Sequence, residues 1–293
     1  MSPLSRRDLL KAGIVVGAAG GVGSLNLIAE HEGATSRVTL GRSNLKVTRL
    51  AFGTGTRSGY VQAALGQQEF TRLVHYAYDR GIRFFETSET YSTPAMLGEA
   101  LKGLPRESYQ LMSKVTTDEG VDPQVRFDQM RRTSNTEYFD IMLLHWQHTS
   151  DWVSETARWQ DGVLEAQSKK QIRARGASFH GLPALRQAPG NKWLEIAMIR
   201  MNHKGVIMDT EVHDTDELGN VNEVVAHTRQ VKKEGMGVIS MKLVGEGRFT
   251  QHSDRQAAMR FAFQNAGVDC VTVGFKNTQE IDEAIDNLNL ALA

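Results

Sequence analysis

IRFFETSETY, residues 82–91, is a short apolar run that ends on a carboxylate, Glu86, and leads through a polar turn to a phenol, Tyr91. The same transition recurs downstream. YQLMSKV (109–115) closes on Lys114, and FDIMLLHW (139–146) closes on His145. Helix-patterned stretches separate these runs. Where strands and helices alternate around a barrel, strand ends of this kind meet at one rim, the rim at which such barrels bind substrate. A carboxylate, a phenol, an ammonium and an imidazole gathered there point to proton transfer.

Outward from that segment the alternation continues in both directions. Upstream, residues 68–80 place Phe70, Leu73, Val74 and Ala77 on one helical face, with Gly81 as the stop. RVTLGRSNLKVTRLAFGTG (37–55) reads as two strand pieces around the turn Gly41-Arg42-Ser43-Asn44, and the second piece, ending at Gly53, is the first barrel strand. Downstream, PAMLGEALKG (94–103), PQVRFDQMRRTSN (123–135) and VLEAQSKKQ (163–171) read as helices between strands. IRARGASF (172–179) is the next strand, followed by a short, poor helix in GLPALRQAP (181–189). LEIAMIRM (194–201), EVVAHTRQVKKEG (223–235), GVISMKL (237–243), DRQAAMRFAFQNAG (254–267), CVTVGF (270–275) and TQEIDEAIDNLNLAL (278–292) complete the series. About eight strand–helix units result, the number that closes a (β/α)8 TIM barrel behind a short N-terminal β-hairpin. The polar stretch 203–219 breaks the rhythm. It carries Asp209, Glu211, Asp214, Asp216 and Glu217 and reads as a solvated loop, with a cation site as the alternative.

The chain has 293 residues, of which 40% are hydrophobic, enough for one large barrel core. Its 34 Lys plus Arg balance 34 Asp plus Glu, so no basic face marks a nucleic-acid binder. Cys270 is the sole cysteine, which excludes an internal disulfide and leaves no disulfide partner; its place in CVTVGF reads as a buried small hydrophobe. Residues 1–35 stand apart from 36–293. Ser5-Arg6-Arg7-Asp8-Leu9-Leu10-Lys11 followed by AGIVVGAAGGVGSLNLIA (12–29) resembles a twin-arginine export signal. That run is shorter and richer in glycine than a membrane span of ~20 apolar residues. The signal implies the twin-arginine export machinery as a partner and the periplasm as destination. Ala29 and Ala34 are the candidate cleavage positions, and an uncleaved segment would serve as an anchor.

The quartet makes chemical sense as a unit. A tyrosine hydroxyl, with an unperturbed pKa of ~10, donates poorly at neutral pH. A neighbouring ammonium favours the phenolate, and a carboxylate paired with that ammonium fixes its place. A histidine beside the same oxygen orients a carbonyl or completes a relay. Taken singly, each has a plainer reading: His145 as a satisfied core histidine, Lys114 as a snorkelling surface lysine, Tyr91 as a packed aromatic. Competing chemistries find less support. No HExxH is present, and His145 and His148 would not share a strand face, so no metal site is expected. No G-x-S-x-G elbow supports a serine hydrolase. Trp146 reads equally as a wall of the substrate mouth and as a packed ring.

From about Arg37 to the C-terminus the chain resembles the aldo-keto reductases. The carrying segments are LGRSNLKVTRLAFGTG, AYDRGIRFFETSETY, LGEALKG with RESYQLMSKV, FDIMLLH, KKQIRARGASFHG, GVISMKLVGEG and VTVGFKNTQEIDEAIDNL, in that order. The resemblance implies an NAD(P)-dependent oxidoreductase that reduces small aldehydes or ketones by hydride transfer. It makes Tyr91 the general acid, Lys114 the group that lowers the Tyr91 pKa, and His145 the group that orients the substrate carbonyl. Glu86 stands where the family has a lysine-pairing aspartate, and its extra methylene moves the carboxylate by roughly one bond length, where ~1 Å can cost ~100-fold in rate.

The resemblance also assigns cofactor contacts to Gly53, Thr54, Ser178, Arg200, Lys242, Gly245, Gly247, Gly274, Lys276 and Glu283. Phe179 replaces the asparagine that often follows the serine at 178. Arg200 replaces a common glutamine, and a guanidinium offers donors without an acceptor. NADP(H) is the cofactor the family implies. Glu280, set near where NADP-preferring members carry an arginine, keeps NAD(H) open. A second reading stands beside the reductase: a barrel of this family that binds nucleotide or a partner with little turnover, with Glu86 and Arg200 as marks of drift. Export adds one expectation, a tightly held cofactor loaded before the folded protein crosses the membrane.

Overall fold

Two strands precede the barrel. Strand β1 (Arg37–Thr39) pairs antiparallel with β2 (Lys46–Thr48), with Val38 opposite Val47. This computed structural model describes residues 33–213 and 215–293; residues 1–32 of the export segment and Asp214 lie outside the described residues. The described chain, Gly33–Ala293, is one compact unit. Ala34 fastens its start: the Ala34 N–H donates to Asn289 Oδ1 at 2.8 Å on the C-terminal helix Thr278–Leu292.

Eight further strands follow: β3 (Leu50–Gly53), β4 (Phe84–Glu86), β5 (Gln110–Val115), β6 (Phe139–Gln147), β7 (Ile172–Phe179), β8 (Ile196–Arg200), β9 (Gly237–Met241) and β10 (Cys270–Gly274). Each is parallel to its neighbours, and β10 pairs back to β3 to close the barrel. The continuous segment expected from Lys46 to Gly53 is split at Arg49, between hairpin and barrel. Thr48 Oγ1 donates to Leu50 O at 2.8 Å and holds that corner.

Strand side chains alternate between faces, and this period sorts the core into two. Ala51, Phe84, Met112, Ile141, Leu143, Ala174, Ile196, Met198, Ile239, Met241 and Cys270 fill the barrel interior. Leu40 and Val47 of the hairpin join the same cluster and plug the end of the barrel where the strands begin. The alternate positions, such as Phe52, Phe85, Leu111, Leu144 and Ile199, pack outward against the helices. Continuing the inward phase by two residues from Phe84, Met112, Leu143 and Met198 arrives at Glu86, Lys114, His145 and Arg200. These four strand-end polar residues are therefore placed at the open end by the same alternation that builds the core, while Tyr91 is carried by the loop after β4.

The helices follow the sequence pattern with local departures. Helix Gly66–Asp79 buries Phe70, Leu73, Val74 and Ala77, and the helix after β7 is only Leu182–Arg186. The segment expected as one helix over 254–267 is α-helical over His252–Arg260 and then widens to π-helical turns over Phe261–Ala266. Gly267 ends it at φ +74°. Phe52 is the centre of the outer core, with ring centroids 6.1 Å from Phe70, 6.1 Å from Phe85 and 5.5 Å from Phe275. Phe52→Ala is expected to lower the free energy of unfolding by about 3–5 kcal/mol, through lost transfer energy and the cavity left behind. Urea denaturation checks this; a loss below about 1 kcal/mol would show that the site collapses freely or that Phe52 is not central.

Candidate active site

Glu86 and Lys114 form an ion pair inside the barrel mouth, with 3% and 0% exposure. Lys114 Nζ donates to Glu86 Oε1 and, at 2.9 Å, to Thr87 O, while Glu86 Oε2 accepts from Thr272 Oγ1 at 3.4 Å. The longer arm of glutamate thus reaches the ammonium directly and touches β10 as well. Burial pushes the Lys114 pKa down, and the Glu86 carboxylate opposes that shift.

Tyr91 lies on the loop after β4, its N–H donating to Ser88 O at 3.1 Å. Its ring sits under the Lys114 ammonium, 4.7 Å from Nζ to the ring centroid. It meets the His145 ring edge-on at 5.9 Å. Gly55 makes room for it: a Cβ there would fall 2.6 Å from the phenol oxygen. The quartet therefore converges. The expected direction of the Tyr91 pKa is reversed, however. Burial first, then the carboxylates of Glu86 and Glu246, push it well above 10.0. His145 is held neutral, its pKa driven well below 6.5 by burial and then by the Lys114 and Lys242 ammonium groups. Ser88 Oγ lies 3.0 Å from His145 Nδ1. Ser88 was within reach of sequence reasoning, being two residues beyond Glu86 on the same strand phase.

Glu89 secures the Tyr91 loop. Its N–H donates to Lys114 O at 3.1 Å, and its carboxylate accepts from Thr116 N at 2.6 Å and from Arg126 at 2.7 Å. Main chain and side chain together bind the loop to the exit of β5.

A cavity of about 70 Å³ beside Tyr91 is walled by Gly53, Glu86, Met198, Met241, Lys242 and Gly274 among others. Through Thr56, Val244, Glu246, Val273 and Gly274 it shares walls with a cleft of about 380 Å³. That cleft runs past Gly247, Arg255, Lys276, Glu280 and Glu283 to helix Thr278–Leu292. An elongated ligand with a reactive end at Tyr91 and a polar tail at the helix fits this shape. Of the expected cofactor residues, Gly53, Lys242, Gly247, Gly274, Lys276 and Glu283 line these two spaces. Thr54, Ser178, Arg200 and Gly245 do not. Thr54 Oγ1 is engaged by Glu86 O at 3.0 Å and by Thr93 at 2.9 Å. Ser178 Oγ accepts from Trp146 N at 3.1 Å. Arg200 pairs with Asp209 at 2.7 Å.

Pairing also governs the cations along the cleft. Lys242 pairs with Glu246, Arg255 with Glu283 through contacts of 2.5 and 2.8 Å, and Lys276 with Glu280 at 3.5 Å. Arg255 and Glu246 were missed as cleft residues, since neither stands in a motif that marks it. In the loop 203–219, Asp209 departs from the expected solvated reading: it is wholly buried. Glu211 and Asp216 pair with Arg186 and Arg248. Among the described residues no three His, Cys, Asp or Glu side chains gather as metal ligands. Trp146 is 41% exposed at the mouth, with φ +66° and its ring 5.2 Å from His148 and 5.5 Å from His213.

Residues 3–23 match the signal sequence of the TAT (twin-arginine translocation) pathway, which indicates twin-arginine export. No helix among the described residues is long and apolar enough to cross a membrane. The probable aldo-keto reductase 1 of Glycine max is 29% identical over 155 residues, 48% of this chain and 45% of that protein. An aldo-keto reductase of Mycobacterium avium is 24% identical over 171 residues, 57% of this chain and 51% of its own. The chain spans about half the length of the curated relatives it matches. Among solved structures, a putative aldo-keto reductase from Pseudomonas aeruginosa superposes with a TM-score of 0.70 at 19% identity, over 88% of this chain and 96% of that one. An aldo-keto reductase from Klebsiella pneumoniae superposes with a TM-score of 0.65 at 16% identity, over 86% and 89%. The model of the Aldo/keto reductase family matches residues 49–259, from the first barrel strand into helix His252–Arg260 ahead of the last strand, and the chain belongs to that family.

Proposed function

We propose that the protein is a nicotinamide-dependent oxidoreductase that reduces a small aldehyde or ketone to the alcohol, with Tyr91 as the general acid. The convergence of Tyr91, Lys114, Glu86 and His145 at the inner end of the long cleft carries this reading. Reduced nicotinamide, when bound, supplies hydride to the carbonyl carbon. Tyr91 Oη gives its proton to the carbonyl oxygen, and solvent restores it. The raised pKa keeps the phenol protonated throughout the physiological range. The Lys114 ammonium stabilises negative charge as it develops on the phenol. With the Ser88 hydroxyl directed at His145 Nδ1, the neutral ring carries its proton on Nε2, where it orients the carbonyl oxygen.

The family resemblance implies NADP(H), and the Klebsiella pneumoniae neighbour is described in complex with NADPH. The charges along this cleft favour NAD(H) instead. Each cation there already faces a carboxylate, so the extra charge of a 2′-phosphate, ≈ −1.5 to −2 at pH 7, meets no uncompensated positive group. The twin-arginine signal fits a periplasmic protein that carries its nucleotide with it.

Tyr91→Phe is expected to cut kcat by about 10²–10⁴-fold while leaving nucleotide affinity, read by fluorescence quenching, within about twofold. Turnover unaffected by this change would leave the barrel as a binding protein. The reductive kcat/KM is expected to be flat across neutrality, since His145 loses its proton below 6.5 and Tyr91 keeps its own above 10.0; the alkaline limb belongs to Lys114, whose ammonium burial makes easier to deprotonate. An alkaline limb near neutrality would place the acid elsewhere. NADH is expected to bind at least as tightly as NADPH, and Glu280→Gln, which frees Lys276, to move the ratio toward NADPH about fivefold, as ~1 kcal/mol for one exposed charge implies. A strong NADPH preference in the unaltered protein would refute the charge argument. Cell fractionation should find the protein in the periplasm with nucleotide bound, and the double change Arg6→Lys/Arg7→Lys should hold it in the cytoplasm. Empty protein in rapid exchange with added nucleotide would count against loading before export.

A further inference from the structure

Outside the barrel, a separate cavity of about 340 Å³ is bordered by helix Pro123–Thr133, the start of helix Pro94–Leu101 and the middle of β5. It shares no wall with the cavity beside Tyr91 or with the long cleft. Its size falls within the ~300–1,000 Å³ of small-molecule sites. Strand phase explains one wall. Met112 and Lys114 point into the barrel, so Ser113 between them faces the helices. Gly98 explains another, because a Cβ on it would fall 2.5 Å from Ser134 O, and only glycine lets the helix come that close.

Ser113 and Ser134 line this cavity, 1% and 4% exposed. Among the described residues neither hydroxyl has a hydrogen-bond partner. Buried hydroxyls without partners are costly, and these two border a space that admits one. At the exposed rim stand the amide of Gln129 and the hydroxyl of Thr133. Pro94 and Met130 add buried apolar flanks.

Charge decides which ligand suits the set. Arg126 is the cation on the wall, and it is already matched: Nη1 donates to Glu89 at 2.7 Å and Nη2 to Asp118 at 3.1 Å. An anion would approach two carboxylates, and an ammonium would approach the guanidinium. Three hydroxyls and an amide remain, all able to donate and to accept. A neutral polyhydroxy ring answers each of them, and its C–H face packs on Pro94 and Met130.

We propose that this cavity is a binding site for a neutral sugar, apart from the site at Tyr91 and set behind the loop that carries it. Glu89 is the link. It walls the cavity, and its N–H donates to Lys114 O at 3.1 Å. An occupant therefore rests on the Tyr91 loop on one side and on the residue before Lys114 on the other.

The probe is methyl β-D-glucopyranoside, which has no free carbonyl to reduce. Calorimetry should show it binding to the unaltered protein, and saturating NADH should not displace it. Hydrogen exchange should slow on its addition in the peptides spanning 86–94 and 110–116. Ser113→Ala/Ser134→Ala should weaken binding about tenfold, as the loss of two neutral hydrogen bonds implies. Gln129→Ala, at the exposed rim, should weaken it about threefold and answers the question even if the double variant fails to fold. Gluconate, an anion, and N-methylglucamine, a cation, should both bind more weakly than the glucoside. No binding of the glucoside, its displacement by NADH, or exchange unchanged in both peptides overturns the proposal. So does full affinity in folded Ser113→Ala/Ser134→Ala or in Gln129→Ala. Tighter binding of either charged compound overturns the assignment to a neutral ligand.

Discussion

The buried pair of Glu86 and Lys114 is the constraint on which the rest of the site depends. Each ion taken alone into the barrel would cost several kcal/mol in lost hydration, and only close pairing with further hydrogen bonds offsets that. Those bonds come from Thr87 O and Thr272 Oγ1, which ties the pair to both β4 and β10. Its neighbours are shaped by the demand. Gly53 admits no side chain, because a Cβ would stand 3.2 Å from Glu86 Oε2 and 2.6 Å from Thr272 Oγ1. Thr54 devotes its N–H and its hydroxyl to Glu86 O. The ammonium that overlies Tyr91 is therefore immobile, and so is the electrostatic setting of the phenol.

That setting works against easy ionisation of Tyr91, and the first cause is burial of the phenol, with the Glu86 and Glu246 carboxylates adding to it. Those two glutamates are the ones that pair with Lys114 and Lys242. Tyr91 thus keeps its proton because its phenolate would be both desolvated and close to two carboxylates. Glu246 links Tyr91 to the larger cleft, since it walls both spaces. The loop Val244 to Phe249 thus acts on the phenol through Glu246 and lines the cleft through Val244, Gly247 and Phe249.

Strand periodicity made the catalytic end legible in the sequence. Glu86, Lys114 and His145 each follow an inward apolar residue by two, and that count survives any small error in strand boundaries. The hairpin, the eight barrel strands and the short helix after β7 were legible for the same reason, local pattern. What escaped was pairing across loops. Arg255 with Glu283 and Arg200 with Asp209 join residues whose approach is decided by tertiary packing. Lys242 and Glu246 stand four apart, a helical spacing, yet their segment is no regular helix. Left-handed backbone at Lys242 (φ +57°), Gly245 (φ +57°) and Glu246 (φ +51°) brings them together, and non-glycine residues adopt that conformation only where surrounding structure enforces it. The direction of the Tyr91 pKa was missed because the burial of the phenol, which raises it first, and the approach of Glu246 are both products of tertiary packing.

Glu86 and Arg200, which the family resemblance sets in place of an aspartate and a glutamine, take on a common logic in three dimensions. A longer carboxylate would misplace its charge if it pointed only at Lys114. Thr272 Oγ1 and the open space left by Gly53 receive the extra length, and the pair remains closed. A guanidinium without a partner in the barrel mouth would be an unpaired buried charge. Asp209 neutralises it and adds the acceptor it lacks. The compensating groups are themselves buried, Thr272 from a strand 186 residues away and Asp209 from the loop nine residues after Arg200. Neither the Glu86 carboxylate nor the Arg200 guanidinium is left as a lone buried charge, so the electrostatic cost of each is met by its partner, and the barrel mouth stays balanced in charge at both places.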